Sequence, residues 1–519
     1  MFAPPTEAER LVGEGLAALA ARQTQAAEAA FGAALNVEPD HPMALTKLAE
    51  IALRRKDHAL ATHRLNAALA IQPHFAPAWC ELSQACWMAG RRQDALAAAR
   101  RAVDIQPFNP KHRLQLAQFA AWMGRGDETR RSLAPLLDPI ACDRMIHATA
   151  LGMLGELAVA EGHFRQADLH LKQALRLLPA LPAPRLVLGM NQLRLGDFAN
   201  GWANYAVREQ VTPLYPDGPP PALGAVWQGQ DLAGKTILVA DDQGHGDSIQ
   251  FSRYLPLLKA RRAWHITLRT FPPLVRLLAD AAPDVAVLPT LPNEARFDYH
   301  CTSSSLPRWF GTTLKTIPAT MPCPRPPDGS RRPRRKRWQI GLAWSGDERH
   351  MRDHLRSIPA EVFLKLADQQ DARFHSLQKD IRPSDLAALQ ARPAISRTVE
   401  KAGDFADTAA LIAGLDLVIT VDTAIAHLAG TLGKPVWILL HVAPDWRWLA
   451  SRSDSPWYPS ARLFRLPPKR PLTAAPRRDD PANVGPADVG VSDHDEGQCA
   501  VWAPLLRRVA AALRTFTAG

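Results

Sequence analysis

Pro39, Pro73 and Pro107 stand 34 residues apart, and the last two close the matching phrases AIQP and DIQP. Ala27, Ala61 and Ala95 keep the same step. Gly90 and Gly124 repeat it, as do Gly162 and Gly196, and Pro179 and Pro213; the register slips by a few residues near LLDPIACDR. A fixed period of this length constrains the fold strongly, because one such unit cannot bury a core alone and must stack on its neighbours. Each unit reads as helix, short turn, helix and proline stop. In the third, helices are expected over about Ala76–Ala89 and Gln93–Ile105, with the turn at Gly90. Small residues such as Ala95, Ala99 and Ala102 recur every three or four positions and let adjacent helices approach closely.

Period and small-residue pattern together resemble the tetratricopeptide repeat, in about five copies followed by a helical segment ending near Glu209. An α-solenoid is therefore expected over residues 1–212. The concave face of such arrays holds peptides or partner domains; the alternative is that the array docks only on the rest of its own chain.

The pattern changes after a proline-rich connector, VTPLYPDGPPPALG, within residues 213–234. KTILVA, WHITLRT and VAVLP read as buried strands, and SIQFSRYLPLLKA and PPLVRLLADA as helices. This alternation predicts an α/β half over 235–321 with a mostly parallel sheet. A second half is expected over 338–519: strands WQIGLAW, ARFHSLQ and VWILL, helices PAEVFLKLAD and DTAALIAGL, and a closing helix Pro504–Phe516. Between the halves, 322–337 is a basic, proline-divided linker. Residues 467–498 read as a disordered insertion, whose Asp493–Asp495 imitates a metal-binding DxD without a rigid frame to hold it.

The chain's 519 residues suit two or three domains, and 47% apolar content suits globular ones. The net charge of +11 favours anionic partners, although much of the excess falls in Arg331–Arg337. That run has no interleaved aromatic residues, so a solvated linker is expected rather than a nucleic-acid surface. Cys80, Cys86, Cys142, Cys301, Cys323 and Cys499 are scattered and form no CxxC pair, as in a reduced cytoplasmic protein. The N-terminal stretch shows no secretory pattern, and no segment approaches the run of about 20 apolar residues that spans a membrane.

LDLVITVDTAIAHLAGTLGKPVW, Leu415–Trp437, is the most informative stretch. A strand ends at Asp422-Thr423 and a helix follows at once, stopped by Gly433 and Pro435. Ile425, Leu428, Ala429 and Leu432 form one apolar stripe, and at about 100° per residue Thr423 and His427 share the face nearly opposite. The helix start carries partial positive charge and unpaired N–H groups at the carboxyl end of a parallel strand, where a diphosphate can dock. Thr423 can donate its hydroxyl there, and His427 a second bond, better when protonated. Asp422 fits beside phosphates if it holds a ribose hydroxyl or backbone N–H groups. The alternative is that Asp422 is an N-cap and the other two are merely solvated.

VDTAIAHLAGTLGKPVW resembles the nucleotide-binding signature of the ADP-heptose:lipopolysaccharide heptosyltransferases. The resemblance implies that Asp422, Thr423, the N–H of Ala424 (where the family usually has glycine) and His427 contact the donor's diphosphate. It extends thinly over Lys235–Pro459 and implies a GT-B fold, two Rossmann-like halves facing a cleft, with no catalytic metal and no cofactor beyond the nucleotide-sugar substrate. Repeats ahead of such a domain also resemble the O-linked N-acetylglucosamine transferases. The whole chain, with PDWRWL and DSPWYP, is most similar to bacterial tetratricopeptide-repeat proteins carrying a heptosyltransferase-like domain.

In the first half, QGHGDSIQFSRYLP matches the family's Gly-Asp turn, whose aspartate is the proposed general base; this names Asp247. An acceptor hydroxyl must lose its proton as it attacks the anomeric carbon. Asp247 followed by Gln250 also has the form of a capping box, which would lower its pKa. Gln243, Gly244, His245 and Gly246 can line the acceptor side. Ser345 and Arg349 can reach donor phosphates, and Gln378 the base or ribose. Asp445, Trp446, Arg447, Trp448, Trp457 and Tyr458 form an aromatic-rich segment that either stacks on sugars or packs a core. The expected protein is a cytoplasmic, metal-independent, inverting glycosyltransferase using a nucleotide-sugar, with a protein or peptide acceptor recruited by the repeats and no nucleic-acid partner. The alternative is a non-catalytic adaptor that keeps a nucleotide pocket.

Overall fold

The computed structural model describes residues 4–140, 142–212, 221–319, 337–350, 353–369, 371–468 and 494–518. The basic run of 322–337, apart from Arg337, and most of 467–498 lie outside these residues.

Six helix pairs form the array: α1 Glu7–Ala20 and α2 Thr24–Val37, α3 Pro42–Arg54 and α4 His58–Ile71, α5 Ala76–Met88 and α6 Arg92–Ile105, α7 Pro110–Trp122 and α8 Gly126–Leu133, α9 Arg144–Ala160 and α10 Phe164–Leu177, α11 Pro182–Leu195 and α12 Phe198–Tyr205. A short α13, Arg208–Val211, follows. The turns inside the pairs need a left-handed residue. Gly90, Gly124, Gly162 and Gly196 supply it at φ between 72° and 88°, while Arg22 and Lys56 take the same place in the first two pairs. The periodic alanines Ala27, Ala61 and Ala95 are fully buried where partner helices meet. A larger side chain there would overpack the contact at a cost of about 1–3 kcal/mol. The register slip coincides with a 3-10 turn, Ala134–Leu137, and the loop leading to Arg144.

By packing, the chain divides into two units: residues 1–157 with 169–184, and residues 158–168 with 185–519. The expected boundary at 212 is therefore not where the chain divides, because the last helices of the array pack with the α/β part.

Two five-stranded sheets build that part, with parallel pairing throughout. The first contains β1 Ala225–Val226, β2 Thr236–Ala240, β3 His265–Arg269, β4 Ala286–Leu288 and β5 Tyr299–Thr302, in the order β1-β5-β2-β3-β4. The second contains β6 Trp338–Ala343, β7 Ala372–Ser376, β8 Leu417–Val421, β9 Val436–Leu440 and β10 Ala461–Arg465, in the order β10-β9-β8-β6-β7. These are two Rossmann-like halves, consistent with a GT-B fold. The central strands β8 and β9 are buried along their whole length, as continuous apolar runs in parallel sheets require. The sequence reading missed β1, β5 and β10. It also began the closing helix too late: the helix runs His494–Ala518 with Pro504 inside it. The buried stripe Trp502, Leu505, Leu506, Val509 and Leu513 carries it across the proline.

Candidate functional site

Each half sends one strand–turn–helix junction from the carboxyl edge of its sheet. In the first, β2 leads through Asp241–Gly244 into α14, His245–Phe251. Gly244 is the N-cap and Asp247 is the third helical residue. Its Oδ2 accepts the Gly244 N–H at 2.9 Å, so the aspartate closes the helix start from inside. The sequence pattern suggested Asp247 as the cap itself with Gln250 answering it; instead Gln250 is buried and its Oε1 accepts from Arg447 Nε.

In the second half, β8 runs into α15, Ala424–Thr431. Thr423, not Asp422, is the N-cap. Its backbone is extended, its hydroxyl lies 3.2 Å from Thr420 Oγ1, and no side chain caps the helix. The far end stops as the sequence indicated: Gly433 has φ 66° and the Lys434 N–H reaches Ala429 O at 3.0 Å. Neighbouring β6 pairs with β8 in the register Ala343↔Thr420, which brings the turn after Ala343 beside Asp422. Arg356 fills the space between them. Its Nη1 donates to Asp422 O at 3.1 Å, and a Cβ on Gly346 would lie 2.5 Å from its guanidinium, so a side chain there would displace the arginine head. Ser345 is buried there, and its Oγ has no partner among the described residues.

Two expectations change at this point. Arg349 turns away: it grips Asp347 at 2.7 Å with its side chain 88% exposed, and the cation beside Asp422 is Arg356. Gln378 spends its amide inside the protein, accepting the Ser345 N–H at 3.2 Å and donating to Asp380 O at 3.1 Å, so it fixes the Ser345 turn.

The two junctions touch. A Cβ on Gly246 would lie 2.6 Å from His427 Cδ2 and 3.3 Å from Ala424 Cα. His427 was expected on an open face, but it is only 5% exposed because α14 covers that face. Its Nδ1 lies 2.9 Å from the Tyr458 hydroxyl and its ring is 5.2 Å from that of Trp448. Burial, reinforced by the nearby Arg447 guanidinium, pushes its pKa down to about 3. His427 is therefore neutral at pH 7, a correction to the protonated donor expected from sequence.

Arg447 ties the halves together. It is buried, pairs with Asp445 at 2.8 Å and with Asp247 across the interface, and lies over the Trp446 ring. Burial works against the charge of Asp445, but Arg447 outweighs it and holds that carboxyl below its ordinary range. Asp247 goes the other way: burial raises its pKa against the opposing pull of Arg447. The capping geometry alone would have lowered it. Its side chain keeps 23% exposure, so the carboxyl is not sealed. Burial and then repulsion from Asp445 push Asp422 up to about 6. Trp446, Trp448, Trp457 and Tyr458 are all fully buried, so this segment is core and not a sugar-stacking platform.

On the remaining loop, His245 lies edge-on to Phe271 at 5.0 Å and beside Phe405, and burial lowers its pKa. Gln243 donates from Nε2 to the Tyr205 hydroxyl at 2.7 Å. Sequence reasoning missed Arg356 and Tyr205. Neither lies in a motif, and their partners are far away in sequence.

Residues 386–464 match the model for glycosyltransferase family 9 (heptosyltransferase). Protein FlbA of Caulobacter vibrioides is 26% identical over 359 residues, covering 63% of this chain and 54% of that protein. Small glutamine-rich tetratricopeptide repeat-containing protein 2 of Mycosarcoma maydis is 31% identical over 103 residues, 20% of this chain and 29% of that protein. The chain thus spans about half or less of the curated relatives it matches. Among solved structures, it is similar to TTC0263, a thermophilic TPR protein of Thermus thermophilus, at 22% identity over 36% of this chain and 99% of that one, TM-score 0.31. It is also similar to the type IV pilus biogenesis factor PilW, at 18% identity over 41% and 97%, TM-score 0.37. The chain thus places its helix pairs ahead of an α/β part that is similar to the heptosyltransferases. Among the described residues, no helix is long and apolar enough to cross a membrane.

Proposed function

We propose that the protein transfers a sugar from a nucleotide-diphosphate donor to an acceptor hydroxyl in the cytoplasm, with the repeats recruiting a protein or peptide acceptor. The observation that carries this reading is the uncapped start of α15, flanked by the Arg356 guanidinium and the unpartnered Ser345 hydroxyl, with Asp247 across the contact. Helix-start N–H groups, a cation and a hydroxyl suit the pyrophosphate and the negative charge it gains on leaving. Arg356 and Ser345 give that charge a fixed partner without a metal. Asp247 accepts the proton of the acceptor hydroxyl as the new glycosidic bond forms, and the diphosphate leaves with the electron pair of the old one, with inversion. Its raised pKa makes it a better base than an ordinary capping carboxylate. Asp422, half-charged near pH 6, is suited to a ribose hydroxyl.

A second reading, the non-catalytic adaptor, draws on the tight engagement of Asp247 by both Arg447 and Gly244. One experiment separates the two: thermal shift with common nucleoside diphosphates, followed by turnover of a nucleotide-sugar panel by wild type and Asp247→Ala. Nucleoside diphosphates should raise the melting temperature by mass action, and the substitution should cut turnover by roughly 10²–10⁴-fold. Stabilisation without turnover would support the adaptor, and no stabilisation by any diphosphate would end both readings.

A further inference from the structure

The helices that close the array pack on both Rossmann-like halves. Arg194 of α11 donates from Nε to Pro444 O in the second half at 3.0 Å. Trp202 of α12 donates to Thr312 O in the first half at 2.8 Å, and its ring meets that of Trp446 in the second edge-on at 5.1 Å. Arg208, opening α13, binds Asp242 and the Ser304 hydroxyl of the first half. Between these ties lies Tyr205, buried, with its hydroxyl accepting from Gln243 Nε2 at 2.7 Å. The other end of that amide, Gln243 Oε1, faces Arg447 Nη2 at 3.5 Å, and the same nitrogen holds Asp247 Oδ1.

We infer that Tyr205, a residue of the helical array, is a positioning residue for Asp247, acting through Gln243 and Arg447. A guanidinium can only donate, so the Gln243 carbonyl must face Arg447 and its NH2 must find an acceptor elsewhere. Tyr205 is that acceptor. Phenylalanine would take the acceptor away from a half-buried amide, free it to turn, and loosen the arginine that sets the carboxylate. What Asp247 does once positioned rests on the function proposed above; the positioning does not.

Other charges also face Asp247 and remain in place when Tyr205 changes. These are Asp445 from the second half, and Asp242 with its partner Arg208. His427, packed across α14, is neutral. Losing the tie to Arg447 should raise the Asp247 pKa further, because the cation is what opposes burial there.

The test uses the full chain as wild type, Tyr205→Phe, Gln243→Met, the double variant, and each of these combined with Asp247→Asn. Melting temperature is recorded against pH, and the contribution of Asp247 is read as the difference from the matching Asp247→Asn protein. Tyr205→Phe should move that difference curve to higher pH. Gln243→Met should move it equally, and the double variant no further, since both break one chain of contacts. Where a nucleotide-sugar is turned over, each single variant should lose roughly ten- to a hundredfold in rate with nucleoside diphosphate binding unchanged. Difference curves that superimpose on wild type would overturn the inference, with or without turnover. Shifted curves in a protein that turns over no donor would retain the positioning and remove the proposed function.

Discussion

The two strand–helix junctions are built alike and finished differently. Each follows a buried parallel strand, and each exposes first-turn N–H groups that need an acceptor. At α14 the chain supplies one itself, the Asp247 carboxylate turned back onto Gly244. At α15 no side chain does so, and Arg356 adds positive charge beside Asp422. An anion that approached α14 would compete with a carboxylate already bound to the helix start, whereas at α15 the N-cap side chain makes no capping bond and the pKa of the Asp422 carboxyl beside it is pushed up to about 6. Under the proposed function, this contrast gives the phosphates to the second half and the proton transfer to the first.

The largest way to break this contrast is to remove the residue that binds the two junctions together. Arg447→Leu leaves the half-buried Asp247 and Asp445 without their cation and should cost about 2–3 kcal/mol, below the figure for a fully buried pair. Chemical denaturation followed by tryptophan fluorescence would measure it, and a cost under about 1 kcal/mol would mean that the pair is effectively solvated.

A smaller effect comes from pH. The His427 pKa is depressed in the folded protein, so folding becomes less favourable as pH falls below the ordinary histidine value of about 6.5. By pH 5 the loss should reach about 2 kcal/mol. Asp422 works in the opposite sense: its raised pKa makes folding more favourable as pH falls from about 6 toward the ordinary carboxylate range. Comparing wild type with His427→Gln isolates the histidine, and the variant should show the shallower decline on acidification. Parallel curves would place the imidazole in water.

The smallest effect sharpens the contrast. Thr423→Asp would give α15 the side-chain cap it lacks. It should stabilise the protein without ligand by about 0.5–1 kcal/mol. The same change should weaken stabilisation by nucleoside diphosphates, because the new carboxylate occupies their donors. Unaltered nucleotide response in a measurably stabilised variant would locate the anion elsewhere.

Much of this was written plainly in the sequence. The step of 34 revealed the helix pairs, and the period even covers Arg22 and Lys56, whose side chains give no hint of a left-handed turn. The central strands were legible because both faces are buried. β1 and β5 were too short to stand out, and β10 alternates at its exposed edge. Helical spacing correctly set Thr423 and His427 apart from the apolar stripe. It could not say what covers the second face, because that partner is α14, far away along the chain. Arg447 and Arg356 were hidden for the same reason, since a buried cation is defined by partners that only the fold assembles.

The contact between Arg194 and Pro444 spans 250 residues. A ribosome adding about 5–20 residues per second takes roughly ten to fifty seconds to cover that distance. Throughout that interval Trp202 has emerged but its partner Trp446 has not been made. The nascent chain therefore carries its early repeats with an unfinished aromatic edge exposed until the last sheet arrives.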